Sequence, residues 1–97
     1  MKFLVRIEVR LPDSLTPEAR RELIEAEQVR GRELKAAGVI VDMWRLPGRL
    51  ANVGIWSAGD ATELHLALCS LPVADYAEVE VTPLARHYLS NESEGEP

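Results

Sequence analysis

One carboxylate in the sequence lies where apolar side chains are expected. Between residues 16 and 38 apolar residues recur at helical spacing, and Glu27 lies only about 40° round the helix from Leu23, at about 100° per residue. Burial on such a face raises the pKa of a carboxylate and makes it a stronger base while it stays ionised. Glu27 is therefore a candidate general base. The alternative is a helix-face carboxylate whose end simply reaches solvent.

Gly31 follows Glu27 by one helical turn, in a helix interior where Gly costs about 1 kcal/mol relative to Ala. Two interpretations of this glycine are open. The missing side chain leaves room for a ligand beside Glu27, or it allows close packing of the helix against a strand.

A second group of candidates lies on a predicted hairpin. Trp44, Arg45 and Asn52 bring an aromatic ring, a planar cation and an amide to the same region. Arg45 has the geometry to hold a carboxylate in a bidentate fork, and the alternative is a surface ion pair. His65 lies next to the apolar stripe of a second predicted helix, where a structural role competes with a catalytic one.

Composition excludes several classes of function. The 97 residues are enough for one domain, and the net charge of −5 comes with no basic patch, so neither nucleic acid nor a membrane surface is an expected partner. The single Cys69 forms no internal disulfide, and no Cys/His pair has metal-ligand spacing. Charges alternate through residues 1–11, which fits neither a signal peptide nor a membrane span. The expected compartment is the cytoplasm.

The helices and strands that position these residues are predicted from the spacing of apolar residues and from residues typical of turns and helix ends. Lys2 to Leu11 alternates with period two and predicts a strand with one face on a core. Thr16 and Pro17 are typical of a helix start, and Gly38 is typical of a helix stop in the left-handed conformation.

Two further strands are predicted at Val39 to Leu46 and Leu50 to Ser57. A second helix follows, capped by Asp60 with Glu63 completing a capping box, and a last strand is predicted at Ala77 to Leu84. The order β-α-β-β-α-β predicts a ferredoxin-like α+β sandwich, with two helices on one face of a four-stranded antiparallel sheet. Residues 1–89 form this domain, and 90–97 read as a disordered acidic tail.

The third strand is expected to place Ala51, Val53 and Ile55 on the core side. The other sheet face then carries four large apolar residues, which are Leu4, Trp44, Leu50 and Trp56. A face of this kind is too apolar for water, so we expect another subunit to cover it.

The sequence resembles the muconolactone Δ-isomerase family, small ferredoxin-like subunits of the β-ketoadipate pathway of aromatic catabolism. The resemblance runs from Met1 to about Ser90. It is carried by matching residues along the whole domain: Leu11-Pro12, Pro17, Leu23, Glu27, Leu34, Gly38, Trp44-Arg45, Gly48, Ala51-Asn52, Leu64-His65, Leu71-Pro72, Tyr76, Glu80-Val81 and Arg86-His87. It implies a homodimer whose sheets pack together as an α+β barrel, and assembly into rings of ten subunits.

The resemblance also implies an activity and roles for residues. Glu27 corresponds to the carboxylate that moves a proton from the γ-carbon to the α-carbon of muconolactone, a small-molecule lactone, with no cofactor and no metal. Asn52 and backbone N–H groups are candidate donors to the dienolate oxygen. Arg45 or Arg86 is the candidate cation for the acetate arm of the substrate. Three further substrate-binding candidates are Trp44, Tyr76 and His65.

The chain departs from the family pattern around the expected pocket. Where the family has Trp and His on the second strand, this chain has Ile40 and Asp42. The family's Tyr-Ala-Asn-Tyr-Ser is residues 50–54 here, Leu-Ala-Asn-Val-Gly, and its Phe-Pro before the shared Tyr is Ala74-Asp75. Its Met after that Tyr is Ala77. The base is kept while several large or hydrogen-bonding groups around it are replaced.

Three functional interpretations therefore stand side by side. The first is an isomerase that shifts a proton in a muconolactone-like lactone. The second is a divergent relative acting on another enolisable substrate, as an isomerase, cyclase or lyase; the dehalogenating branch of the family lacks the Glu, so Glu27 argues against that variant. The third is a non-catalytic ligand-binding or assembly module of the same fold.

Overall fold

The computed structural model describes residues 1–90 as a four-stranded antiparallel sheet with two α-helices. The elements, in chain order, are β1 (Lys2–Val9), α1 (Pro17–Ala36), β2 (Ile40–Arg45), β3 (Ala51–Ser57), α2 (Ala61–Cys69), a short 3-10 helix (Ala74–Tyr76) and β4 (Ala77–Leu84). The strand order is β2-β3-β1-β4. The predicted ferredoxin-like order is confirmed. Apart from Ser90, the predicted tail lies outside the described residues.

Helix boundaries follow the local signals of the sequence. The Thr16 hydroxyl accepts a hydrogen bond from the Ala19 N–H at 3.0 Å, and Pro17 occupies the first turn of α1. Gly38 ends α1 with φ of 79°, and Gly48 turns the β2-β3 hairpin with φ of 80°. Both glycines therefore adopt the left-handed conformation that other residues reach only at a steric cost.

The start of α2 differs in one detail from the predicted capping box. The Asp60 carboxylate accepts from the Glu63 N–H at 2.8 Å, as expected. The Glu63 carboxylate, however, accepts from the N–H of Gly59, one residue before the cap, at 2.7 Å. The helix start is thus held by two reciprocal bonds that include the preceding turn.

The core lies between the sheet and the two helices. Phe3, Val5 and Ile7 alternate along β1 and are buried, as the period-two pattern predicts. Leu34 of α1 and Leu64 of α2 pack against them. Leu23 packs at the edge of this core, but the expected α1 stripe is partly wrong: Ala26 and Ala37 are exposed.

The faces of β3 are the reverse of those expected. In the ladder Trp56 is the Cα partner of Phe3, whereas Ile55 is the partner of Leu4. Trp56 is fully buried in the core, and Leu50 lies on that same side of the sheet. The expectation failed because both faces of this strand carry apolar residues, so alternation alone does not show which face meets the helices.

The outer face of the sheet, opposite the helices, has an apolar part and a charged part. Its apolar part gathers residues from three neighbouring strands, which are Leu4, Trp44, Val53 and Ile55. In its charged part Glu8 lies 3.1 Å from Arg6, 3.6 Å from Arg49 and 4.0 Å from Arg10. The hydrogen bond from Arg6 is the main cause that lowers the pKa of Glu8.

Within residues 1–90, neither helix is both long and apolar enough to cross a membrane.

Candidate active site

A cavity of about 240 Å³ lies between α1 and the helix-facing side of the sheet. Most of its wall is apolar and comes from β1, β2, β3 and the segment after α2. Its polar lining includes Glu27, Arg45 and Asn52. Pockets for drug-sized ligands measure roughly 300–1,000 Å³, so this cavity suits a smaller molecule with a single ring.

Glu27 enters the cavity from α1 and is half-buried. Its Oε1 accepts a hydrogen bond of 3.2 Å from the backbone N–H of Val73, which follows α2. Burial raises the pKa of the Glu27 carboxyl above its ordinary value of 4.5, and the bond from Val73 partly opposes that rise. Glu27 forms no ion pair with a residue of the described range. These features fit a base better than a surface charge.

Gly31 lies on the cavity wall one turn beyond Glu27. A Cβ built at this position would meet no heavy atom within 4 Å. The helix is therefore not packed closely against a strand here, and the space beside Gly31 is open. Of the two interpretations, the structure favours room for a ligand.

Arg45 and Asn52 are brought together by the pairing of β2 with β3. They are Cα partners on β2 and β3, and both line the cavity wall. Within residues 1–90 Arg45 makes no ion pair, so the surface-pair alternative finds no partner there. The Oδ1 atom of Asn52 is buried without a hydrogen-bond partner among the described residues.

Trp56 is a cavity residue that the sequence did not reveal. Its side chain is fully buried, and its Nε1–H, like the Asn52 oxygen, has no partner in the described part of the chain. A buried donor without a partner costs about 1–3 kcal/mol. The signal that was available is the alternation Asn52-Gly54-Trp56, which places the indole on the same face as Asn52.

The other candidates lie away from this cavity. Trp44 alternates with Arg45 along β2 and is therefore on the outer face, 54% exposed. His65 follows the core residue Leu64 by about 100° on the helix, so it is exposed; its Nε2 lies 3.4 Å from the Cys69 Sγ.

Tyr76 and Arg86 flank β4. Tyr76 ends the 3-10 helix and is half-buried, with its carbonyl accepting from the Arg10 N–H, while Arg86 is exposed beyond the end of β4. Neither side chain lines the Glu27 cavity. Among residues 1–90, no three His, Cys, Asp or Glu side chains are grouped so that they could hold a metal ion.

Comparison with known proteins gives one consistent result. The family model described as "Muconolactone delta-isomerase" matches residues 1–90. Muconolactone Delta-isomerase of Rhodococcus opacus is 36% identical over 88% of this chain and 91% of its own length. Muconolactone Delta-isomerase 1 of Acinetobacter lwoffii is 38% identical over 90% of this chain and 91% of its own.

Solved structures agree with these sequence matches. A crystal structure of muconolactone isomerase superimposes with a TM-score of 0.84 and 31% identity, covering 90% of this chain and 91% of that one. A 5-chloro-2-hydroxyhydroquinone dehydrochlorinase from Burkholderia phenoliruptrix, in complex with 2,5-dihydroxybenzoquinone, gives 0.68 and 21% identity over 92% and 98% of the two chains. At that identity the second likeness shows a shared fold alone.

The raised pKa of Glu27 has a consequence for stability. Because the folded protein holds this proton more tightly than the unfolded chain does, the stability that its protonation contributes is fully present below pH 4.5 and is lost as the pH rises through the folded pKa. Glu27→Gln keeps an acceptor for Val73 and carries no charge. We therefore expect the variant to gain in free energy of unfolding relative to the parent as the pH rises from 4.5 to 7.

Urea unfolding at several pH values measures this difference. Glu25→Gln, at an exposed position of the same helix, controls for the general effect of removing one negative charge. A difference between Glu27→Gln and the parent that is constant over this pH range would show that burial does not raise the pKa.

Proposed function

The chain belongs to the muconolactone Δ-isomerase family, and from that membership we propose that it isomerises muconolactone with Glu27 as general base. The observation that carries the proposal is the Glu27 carboxylate, half-buried in a small apolar cavity and without an ion-pair partner in residues 1–90. A base in such a place is partly desolvated, which suits the abstraction of a weakly acidic C–H proton.

The proposed reaction needs one base and proceeds through a dienolate. Glu27 takes the proton from the γ-carbon, and the electron pair of that C–H bond moves into the ring, so that the lactone carbonyl oxygen becomes negatively charged. The Glu27 carboxylic acid then returns the proton to the α-carbon, and the charge on oxygen is lost as the carbonyl re-forms. Atoms and charge balance within substrate and carboxylate, because the substrate and product are isomers.

The bond from Val73 gives the base a fixed direction. One oxygen of Glu27 accepts from the Val73 N–H, which leaves the other oxygen for the substrate. The same carboxylate can reach both ring carbons from one face, as a 1,3 proton shift requires. Holding the base in position removes part of the entropic cost of the transfer.

The acetate arm of the substrate requires a cation, and Arg45 is the cation that lines the cavity. A planar guanidinium binds a carboxylate by two parallel hydrogen bonds. Asn52, its cross-strand partner, has an unpartnered buried oxygen that suits an N–H of the same guanidinium. We assign Asn52 to orienting Arg45 and not to the dienolate oxygen.

We also propose that two sheets pack through their outer faces to form a dimer. Leu4, Trp44, Val53 and Ile55 form an apolar surface there, and the carboxylate of Glu8 is already paired with arginines, which lowers the cost of covering it. Assembly beyond the dimer rests on the family resemblance.

Replacement of the base is the central test. Glu27→Gln should keep the fold and lose about 10²–10⁴-fold in turnover of muconolactone, the usual contribution of a positioned base. Loss of the lactone and exchange of substrate protons in D₂O measure net conversion and proton abstraction separately. Glu25→Gln, on an exposed position of α1, should retain both activities.

Net conversion and proton exchange together distinguish the isomerase from the other functional interpretations. Proton exchange without net conversion in the parent protein would keep Glu27 as base and move the search to another enolisable substrate. Turnover retained by Glu27→Gln would remove this residue from the mechanism.

Replacement of Arg45 tests the binding of the acetate arm. Arg45→Gln should raise the KM for muconolactone about 10- to 100-fold, because a hydrogen bond to a charged group contributes about 1.5–3 kcal/mol and each 1.4 kcal/mol is a factor of ten. Steady-state kinetics measure this change. A larger rise in Arg86→Gln than in Arg45→Gln would transfer the role to the residue beyond β4.

A charge at the centre of the outer face tests the dimer. Val53 lies between Trp44 and Arg6 in the ladder, so Val53→Lys should lower the mass observed by sedimentation velocity. Val29→Lys makes the same change at an exposed position of α1 and should leave the mass unchanged. An equal mass for parent and Val53→Lys would exclude this face as the interface.

A further inference from the structure

Two buried side-chain polar atoms in residues 1–90 lack a hydrogen-bond partner, and both belong to residues of the same cavity wall. They are the Oδ1 of Asn52 and the Nε1 of Trp56. Buried polar groups are nearly always paired, by protein or by a bound molecule. We have assigned the Asn52 oxygen to the Arg45 guanidinium across the ladder, which leaves the indole N–H of Trp56 as the atom whose partner we look for in a ligand.

No side chain of residues 1–90 accepts a hydrogen bond from the Trp56 indole. Its Cα partners on the two neighbouring strands are Phe3 and Ile40, and it belongs to a cluster of buried apolar residues. The indole N–H has no protein partner among residues 1–90, and the cavity that Trp56 lines is the space beside it. The cavity is therefore where we place the partner of this donor.

The position of Trp56 along β3 fits one particular atom of the substrate. Asn52 and Trp56 share a face of the strand four residues apart, about 13 Å between Cα atoms at roughly 3.3 Å per residue. Arg45 stands across from Asn52, at the end that we assign to the acetate arm. In muconolactone the acetate arm and the carbonyl oxygen are carried by the two carbons that flank the ring oxygen, and they project to opposite sides of it. A substrate with its arm at Arg45 directs its carbonyl towards Trp56.

We propose that the Nε1–H of Trp56 donates the hydrogen bond to the lactone carbonyl oxygen and to the dienolate oxygen that it becomes. This assignment rests on the proposed function, since it takes the substrate and the base from there. A donor fixed in a dry wall strengthens its bond as charge develops on the oxygen, without reorganisation during the reaction. Trp56 is then a catalytic residue for the same proton transfer, acting on the oxygen while Glu27 acts on carbon.

The first test observes the indole proton directly in the whole protein labelled with ¹⁵N. The chain has two tryptophans, so a spectrum of Trp44→Phe assigns the indole signal of Trp56. The probe is (5-oxotetrahydrofuran-2-yl)acetate, the saturated lactone, which has the arm and the carbonyl but lacks the double bond. The matched control is (tetrahydrofuran-2-yl)acetate, which keeps the ring and the arm and lacks the carbonyl.

The lactone should move the Trp56 indole proton downfield, and the ether should not. Both probes should move the backbone N–H signal of Val73, which reports on the Glu27 carboxylate beside it. A response of Val73 to the lactone with an unchanged indole signal would overturn the role of Trp56 and leave the proposed function intact. No response of either signal to the lactone would contradict binding at this cavity, and with it both proposals.

The second test is kinetic. Trp56→Phe keeps an aromatic ring in the wall and removes the N–H; we expect kcat to fall about 10²-fold with little change in KM, as for loss of one oxyanion donor. The rate of proton exchange into D₂O should fall with it, and thermal unfolding shows whether the variant remains folded. A kcat equal to that of the parent in a folded variant would overturn the inference. Should the variant not fold, the indole measurement decides alone.

Discussion

The site depends on keeping one carboxylate partly out of water and yet not pairing it with a cation. Glu27 meets this condition because α1 turns it towards an apolar cavity, and because the Val73 N–H gives it a neutral donor instead of a charge. A cation at the same distance would stabilise the ionised form and weaken the base. The raised pKa of Glu27 therefore reflects an arrangement of three elements: α1, the sheet, and the segment after α2.

The alternation of β2 divides the chemistry of the sheet between its two faces. Met43 and Arg45 face the helices and line the cavity, whereas Trp44 between them faces outward. Because side chains alternate along a strand, adjacent residues face opposite sides of the sheet and take different roles. A Trp-Arg pair in sequence suggests a joint binding site, but on a strand the two side chains lie on opposite faces. Arg45 belongs to the proposed active site and Trp44 to the proposed interface between subunits.

Local signals in the sequence predicted the elements well, since each depends on a few adjacent residues. The cap at Thr16, the stop at Gly38 and the alternation of β1 all hold in the structure. The partly buried position of Glu27 also follows from local pattern, as a charge in an apolar stripe. The faces of β3 do not, because apolar residues occur on both sides and only the register against β1 decides between them. The same ambiguity conceals Trp56, because alternation alone does not show that its indole faces the helices.

The register also bears on the departures from the family pattern. The resemblance expects Trp at position 40, where this chain has Ile40, and the Cα partner of Ile40 is Trp56. Both residues line the cavity, so an indole is present at this part of the wall, contributed by β3 and not by β2. The side chains of two residues that are Cα partners on neighbouring strands lie side by side on one face of the sheet. One of the two can therefore supply a chemical group that the other lacks. Loss of a hydrogen-bonding residue at one strand therefore does not by itself argue for loss of the reaction, because the neighbouring strand carries the donor that we propose for it.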